Sequence, residues 1–250
     1  MKNSFFNKPI SNVYSKPSTK SEISTQVLYG EKFKVISKKN NWIKIKTNYD
    51  NYTGFIKKGK FSRNHNPTHK VFLTKSIIFK KIKSKFIKTK KYLYFSSTIK
   101  NLENNMNYIR FDQNKWIKKK DLKNIEFIDK NYIKLLKLFL NTKYFWGGKS
   151  VDGIDCSALI QLFFKFNGIF FPRDTKDQIK YCKKKSRKVF GSGDIIFWKG
   201  HVGLCLNKKD FIHAYGPKKK VIIMNINKTI SLISKTANLK VKKISNIEKY

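Results

Sequence analysis

Residues 145–166 read FWGGKSVDGIDCSALIQLFFKF, a glycine-rich turn followed by an apolar segment with the spacing of a helix. Four apolar positions recur every three or four residues, as on the buried face of a helix: Leu159, Leu162, Phe163 and Phe166. Because Gly153 and Asp155 mark the helix start, Cys156 falls in its first turn. There the unpaired backbone N–H groups and the positive end of the helix dipole favour a thiolate over a thiol. The sequence therefore predicts a helix that presents an ionisable cysteine at its N-terminus.

Two histidines downstream are the candidate partners of this cysteine. His201 and His213 flank a predicted hairpin, and their even separation places both rings on one sheet face if the loop has an odd length. A nucleophilic cysteine needs an imidazole that takes its proton and a further polar group that orients the imidazole. The alternative is that Cys156 is a small buried packing residue. Packing is the prediction for Cys182 and Cys205, because neither has a helix start or a histidine partner.

The first half of the chain has the pattern of small all-β units. Between about residues 10 and 122, short alternating apolar segments are separated by polar turns. The similar sequences FIKKGKF (residues 55–61) and WIKKKDL (residues 116–122) indicate a repeat. We therefore predict two small barrels in tandem, over residues 1–65 and 66–124. One continuous β-sandwich is the alternative.

The pattern changes beyond residue 125, where a helical period gives way to strands. Helices are predicted over residues 132–140 and 155–167. Strands are predicted over residues 194–198, 202–206, 211–214 and 221–226, with an ambiguous tail whose last strand would cover residues 238–244. Helices followed by an antiparallel meander predict an α+β domain over residues 125–250.

Composition bears on the class of protein and its partners. The chain carries 56 Lys and Arg against 15 Asp and Glu, for a net charge of +41. Because the lysines are spread from end to end among residues that A/T-rich codons favour, we attribute the charge to base composition and predict no nucleic-acid partner. Three widely spaced cysteines without a C-x-x-C pair argue against a disulfide framework or a zinc site. The N-terminus has no apolar run of the roughly 7 to 15 residues typical of a signal sequence, and no other segment approaches the roughly 18 apolar residues of a membrane span. We therefore predict a cytoplasmic protein without membrane contact.

Six short motifs resemble, in order and spacing, those of the NlpC-type cysteine peptidases of papain-like fold. They are YFWGG (144–148), GIDCSAL (153–159), PRDT (172–175), GDIIF (193–197), HVG (201–203) and FIHA (211–214). The N-terminal half resembles the bacterial SH3-type barrels that precede this domain in one branch of the family, on the segments SEISTQVLYGE (21–31) and NYTGFI (51–56). The resemblance implies an α+β papain-like cysteine peptidase domain preceded by two small all-β SH3-like barrels.

The resemblance also implies roles for individual residues. Cys156 is expected as the nucleophile, His201 as the general base and His213 as the residue that orients His201. Substrate-binding positions are expected at Tyr144, Asp155, Ser157, Asp174 and Thr175, with Glu22 and Tyr52 of the first barrel capping the substrate pocket.

The substrate's N-terminal end is assigned to three of these positions. They are Tyr144, Asp155 and Ser157, where a carboxylate beside a phenol suits a free ammonium because charge-assisted hydrogen bonds are strong. Two positions depart from the usual pattern of the family. Thr175 replaces a serine and keeps its hydroxyl, and Ala158 replaces a glycine inside the helix.

In the branch that carries such barrels, the enzymes cleave the γ-D-glutamyl–diamino-acid bond of peptidoglycan peptides whose N-terminal L-alanine is free, during cell-wall recycling. The expected substrates are therefore murein tripeptides and tetrapeptides, and the chemistry requires no metal or organic cofactor. Two other functions stay open: a non-catalytic module that binds wall fragments or acidic polymers, and a papain-like amidase or acyltransferase acting on a lipid or another amide. The complete set of three catalytic positions favours the peptidase over the binder, and the expected ammonium-binding residues favour it over the amidase.

Overall fold

The computed structural model describes residues 3–185 and 189–250 of the chain. They divide into an N-terminal unit that ends at Ile128 and a C-terminal unit that begins at Asp129. The N-terminal unit is built from strands, whereas the C-terminal unit contains all four α-helices of the described ranges. The predicted fold class, an α+β domain preceded by an SH3-like all-β region, is confirmed.

The first part of the N-terminal unit is one antiparallel six-stranded sheet, ordered β1-β4-β5-β6-β2-β3. Its strands are β1 Asn3–Phe5, β2 Ile10–Tyr14, β3 Ile23–Leu28, β4 Lys32–Lys39, β5 Trp42–Thr47 and β6 Thr53–Lys57. Alternate side chains of these strands point inward, because successive residues of a strand face opposite sides. Together with Phe6, which directly follows β1, they form a core of Val13, Val27, Phe33, Ile43, Ile45 and Ile56.

The rest of the N-terminal unit consists of two sheets, ordered β10-β7-β14 and β11-β12-β13-β8-β9. The strands are β7 His69–Val71, β8 Lys75–Ile82, β9 Lys85–Tyr94, β10 Thr98–Ile99, β11 Glu103–Asn105, β12 Tyr108–Asp112, β13 Lys115–Lys118 and β14 Leu122–Asn124. Ile56 and Ile117, the matching positions of the two similar segments, lie in separate hydrophobic cores. Separate cores favour two modules over a single continuous sandwich. The boundaries at residues 65 and 124 stay predictions.

The C-terminal unit packs helices on a five-stranded antiparallel sheet, ordered β20-β19-β18-β17-β21. Its helices are α1 Tyr132–Lys137, α2 Cys156–Phe166, α3 Thr175–Tyr181 and α4 Ile226–Ala237. Its strands are β15 Lys149–Ser150, β16 Gly153–Ile154, β17 Asp194–Trp198, β18 His201–Cys205, β19 Asp210–Tyr215, β20 Lys220–Asn225 and β21 Lys243–Asn246. Helix α2 packs against β18 and β19.

The prediction for the C-terminal tail is wrong in part. The last strand is β21, not residues 238–244, and the residues before it form α4. The side chain of Asn225 caps this helix by accepting from the Lys228 N–H, and Ile226, Thr229 and Ile233 are buried along one face. The many isoleucines concealed the helical period, because β-branched residues are typical of strands.

Within the two described ranges, no helix combines the length and the apolar character needed to cross a lipid bilayer.

Candidate active site

Helix α2 begins at Cys156 because Asp155 caps it. Asp155 has an extended backbone, and its Oδ1 accepts a hydrogen bond from the Ala158 N–H at 2.8 Å. This is the geometry of an N-cap residue, which satisfies one of the N–H groups that a helix start leaves unpaired. The predicted position of the cysteine in the first turn is therefore confirmed, and its side chain is buried.

The Asp155 carboxylate is also held by a buried arginine. Arg173 Nη1 donates to Asp155 Oδ1 at 3.0 Å, and Arg173 Nη2 donates to Oδ2 at 2.6 Å. The two side chains are only 1% and 9% exposed. The Gly147 N–H and the Ser157 hydroxyl donate to the same carboxylate, at 3.0 and 3.1 Å. Asp155 is therefore charge-compensated and hydrogen-bonded at both oxygens, rather than a free carboxylate.

The thiol of Cys156 faces the start of β18. Its Sγ lies 4.0 Å from the carbonyl oxygen of Gly200. The backbone of Val202 and the hydroxyl of Thr175 lie close enough to stabilise a thiolate by hydrogen bonding, and so act to lower the pKa of Cys156. Because Gly200 and Val202 flank His201 in the chain, the backbone of His201 lies beside the thiol.

The hairpin of β18 and β19 brings the two predicted histidines together. The Leu206 N–H donates to the Asp210 carbonyl at 2.8 Å, which leaves residues 207–209 as the loop. This odd length places His201 and His213 on one face of the sheet, as the sequence predicted. His201 Nε2 and His213 Nδ1 lie 2.9 Å apart, within hydrogen-bond distance.

Two features of the hairpin fix the position of His213. A Cβ at Gly203, on the adjacent strand, would lie 2.8 Å from the Cβ of His213 and 2.4 Å from Phe211 Cζ, so the missing side chain lets the strands and rings approach. The ring of Tyr215 stacks on the His213 ring at 4.8 Å. The remaining ring nitrogen of His213, Nε2, lies 3.4 Å from Met224 Sδ.

The electrostatic prediction for the cysteine is wrong in direction. Burial, and secondly the charge of Asp155, raise the pKa of the Cys156 thiol to about 11. The hydrogen bonds to the sulfur and the charge of Arg173 act to lower that pKa but do not outweigh burial. Burial lowers the pKa of His201 to about 4, and burial together with the charge of His201 lowers that of His213 to about 2. The resting pair is therefore a neutral thiol and a neutral imidazole.

Tyr144 lies within electrostatic reach of both the thiol and Asp155. Its ring packs beside Gly216, and its side chain is half-buried. Burial, followed by the charges of Cys156 and Asp155, raises the pKa of Tyr144 above its ordinary value. The phenol therefore stays protonated and is a hydrogen-bond donor at the edge of the site.

The other predicted substrate positions are distributed over both units. Asp174 is the N-cap residue of α3, directly before Thr175. In the N-terminal unit, Glu22 is exposed immediately before β3, and Tyr52 is half-buried immediately before β6. The roles of these residues in substrate binding stay predictions.

Sequence reasoning missed two residues of the site. Arg173 lies in the PRDT motif, where an arginine in an apolar context is a usable signal for a buried ion pair. Met224 carries no sequence signal, because its contact with His213 depends on the pairing of β19 with β20.

Comparison with known proteins identifies the two parts of the chain. Residues 141–237 match the family model for NlpC/P60, and residues 11–61 match that for the bacterial SH3 domain. The C-terminal domain belongs to the NlpC/P60 family. This is a family of cysteine peptidases, so the chain is a cysteine-type peptidase.

Three relatives match this chain over most of its length. The gamma-D-glutamyl-L-lysine dipeptidyl-peptidase of Bacillus subtilis (strain 168) is 26% identical over 237 residues, which cover 85% of this chain and 79% of that protein. Dipeptidyl-peptidase 6 of Lysinibacillus sphaericus is 25% identical and covers 82% of this chain and 84% of its own. A crystal structure of an NlpC/P60 family protein from Bacillus cereus ATCC 10987 has a TM-score of 0.80 at 19% identity, covers 98% of this chain and 99% of its own, and shows the shared fold.

Replacing Arg173 tests the buried ion pair of this NlpC/P60 domain. Arg173→Gln leaves the Asp155 charge buried without its partner, so we expect the free energy of unfolding of the C-terminal unit to fall by about 3–5 kcal/mol. The control Lys134→Gln in the same unit removes a pair whose lysine is 53% exposed, and should cost about 1 kcal/mol or less. Denaturant unfolding measures both. A loss for Arg173→Gln no larger than that of the control would contradict the argument.

The pH dependence of thiol alkylation tests the neutral pair. Because burial raises the pKa of Cys156 to about 11, alkylation by iodoacetamide should rise with pH around a midpoint well above that of a free thiol, roughly 8.5. Peptide mass mapping separates Cys156 from the two other buried thiols, Cys182 and Cys205. A fast rate that is independent of pH between roughly 5 and 8 would show instead that a thiolate–imidazolium pair forms.

Proposed function

We propose that this protein hydrolyses the γ-D-glutamyl–diamino-acid bond of peptidoglycan peptides that carry a free N-terminal L-alanine. The observation that carries the proposal is the cysteine at the capped start of α2, beside a hydrogen-bonded histidine pair on β18 and β19. A relative named gamma-D-glutamyl-L-lysine dipeptidyl-peptidase, aligned over most of both chains, supports the choice of bond.

The proposed reaction begins with proton transfer from the thiol. Cys156 gives its proton to His201 as its sulfur attacks the γ-carbonyl carbon of D-glutamate, and His213 keeps the His201 ring oriented. Because both groups rest in their neutral forms, the charges arise only during the attack. The hydrogen bonds from Val202 and Thr175 to the sulfur, together with the charge of Arg173, favour the thiolate and thus stabilise the nucleophile at that moment.

The tetrahedral intermediate needs donors for its oxyanion. Asp155 occupies the N–H of Ala158, so the first-turn N–H groups of Cys156 and Ser157 are the donors that we propose for the oxyanion. His201 then protonates the leaving amine, and water attacks the thioester to release the dipeptide. The reaction requires only side chains and water.

Recognition of the free amine is proposed to involve Tyr144, Asp155 and Ser157. Asp155 already has a positive partner in Arg173. The substrate ammonium therefore adds to an existing network rather than compensating an isolated charge. On the resemblance alone, we propose that Glu22 and Tyr52 of the N-terminal unit contribute further specificity.

Restriction to short peptides with a free amine indicates the stage of cell-wall turnover at which the enzyme acts. Such an enzyme acts on released peptide fragments and leaves intact, cross-linked wall untouched. We therefore propose that it serves cell-wall recycling, in the cytoplasm, on murein tripeptides and tetrapeptides.

Cysteine substitutions test the catalytic assignment. Cys156→Ala should lower the rate of hydrolysis of L-Ala-γ-D-Glu-diaminopimelate by at least about 10³-fold, because it removes the nucleophile. Cys182→Ala, a matched loss of a buried thiol, should keep the rate within a few fold. Product masses and circular dichroism of each variant complete the measurement. Full activity of Cys156→Ala with a native spectrum would rule out the cysteine mechanism.

Blocking the substrate amine tests specificity. N-acetylation removes the ammonium charge and its charge-assisted hydrogen bonds, so kcat/KM should fall by about a hundredfold, equivalent to about 3 kcal/mol. Tyr144→Phe should narrow the ratio of the two kcat/KM values by slowing the free-amine peptide more than the blocked one, because it removes one proposed contact of the ammonium. Tyr181→Phe, the same change at an exposed tyrosine of the same unit, should leave that ratio unchanged. Equal rates on both peptides, or solubilisation of intact sacculi, would refute the proposed specificity.

A further inference from the structure

We propose that Met224 is a positioning residue that fixes the tautomer of His213 and, through it, the ring nitrogen with which His201 accepts the thiol proton. The inference rests on the proposed roles of His201 and His213. It is carried by two contacts in series, Met224 Sδ to His213 Nε2 at 3.4 Å and His213 Nδ1 to His201 Nε2 at 2.9 Å.

The first contact determines where His213 carries its proton. A thioether sulfur has no proton to give and acts only as a weak acceptor. The partner of Met224 Sδ must therefore be an N–H, which places the proton of neutral His213 on Nε2. His213 is fully buried, so bulk water does not offer an alternative acceptor.

The second contact makes the tautomer of His201 depend on that of His213. With its proton on Nε2, His213 presents an unprotonated Nδ1, which accepts a hydrogen bond. His201 must then donate from Nε2, and a neutral His201 consequently has an unprotonated Nδ1. That lone pair is the one that takes the proton of Cys156. When it does so, neither hydrogen bond between the side chains has to reverse.

The opposite tautomer would disable the base. If His213 carried its proton on Nδ1, it would donate to His201 Nε2, and neutral His201 would carry its own proton on Nδ1. The nitrogen proposed to accept the thiol proton would then be occupied. Because burial keeps both histidines neutral, the choice between the two tautomers matters at every pH above about 4.

The sheet places the thioether where this contact requires it. On β20, Ile222 lies directly opposite His213, and Met224 lies opposite Phe211. Met224 is therefore a diagonal neighbour of His213 on the same face, a distance that only a long side chain spans. The histidine is otherwise surrounded by the rings of Tyr215 and Phe211, at 4.8 and 4.9 Å.

The direct test measures the tautomer without any substrate. Long-range ¹H–¹⁵N spectra of histidine-labelled protein distinguish a protonated from an unprotonated ring nitrogen, and His65→Ala and His69→Ala variants identify the signals of the two other histidines. We expect His213 with its proton on Nε2 and His201 with an unprotonated Nδ1. A proton on Nδ1 of His213 in the wild-type protein would overturn the proposal.

The second test removes the acceptor and keeps the volume. Met224→Leu is a nearly isosteric change, yet it leaves His213 Nε2–H without an acceptor, so the Nδ1–H tautomer should become populated and kcat should fall by about 2- to 12-fold with KM unchanged. Selenomethionine at this position retains a chalcogen acceptor and should preserve both the tautomer of His213 and kcat. Ile222→Leu, a packing change in the same cluster, should also leave both unchanged.

An unaltered tautomer and an unaltered kcat in folded Met224→Leu would refute the role of Met224. If instead the proposed peptide specificity is wrong, the murein peptides are not cleaved, but the spectra still show His213 with its proton on Nε2. The two hypotheses are thus separated by one substrate-free measurement.

Discussion

The ion pair between Asp155 and Arg173 is the interaction on which the geometry of the active site depends. One carboxylate accepts hydrogen bonds from the glycine turn at Gly147, from the first turn of α2 at Ala158, and from an arginine just before α3. It thereby joins three separate segments of the chain. Because the pair is buried, breaking it would leave an uncompensated charge in the interior, and the three segments are held in one arrangement.

Burial has a second consequence, which concerns charge rather than geometry. The position of Cys156 at a helix start favours the thiolate, but the loss of water around the sulfur favours the thiol more strongly. The same loss of solvation keeps both histidines neutral. Cys156 and His201 therefore form no thiolate–imidazolium ion pair at rest. The polar groups of the site are instead arranged to favour the charges that develop during the proposed attack, which is a way to stabilise a transition state more than the ground state.

A neutral histidine pair also makes tautomers matter. Two neutral imidazoles in a hydrogen bond can be arranged in either direction, and only one direction leaves His201 with a lone pair on Nδ1. A carboxylate beside His213 would settle the direction by its charge, but the contact recorded at its second nitrogen is the thioether of Met224. A weak acceptor is sufficient, because it has to select only between two otherwise similar tautomer arrangements in a site that excludes bulk water.

The sequence by itself determined the helix that begins at Cys156, the strands that carry His201 and His213, and the all-β character of the N-terminal half. Hydrophobic period, capping residues and turn residues are local properties, so they can be recognised in a short stretch of sequence. Helix α4 was not predicted, because isoleucine is compatible with both the helical and the strand period. Only the tertiary structure decided the ionisation of Cys156, the partner of Asp155 and the contact of Met224 with His213. Each depends on which distant segments exclude water from the site or pair in the required register. The spacing of neighbouring residues encodes neither the exclusion of water nor the pairing of strands.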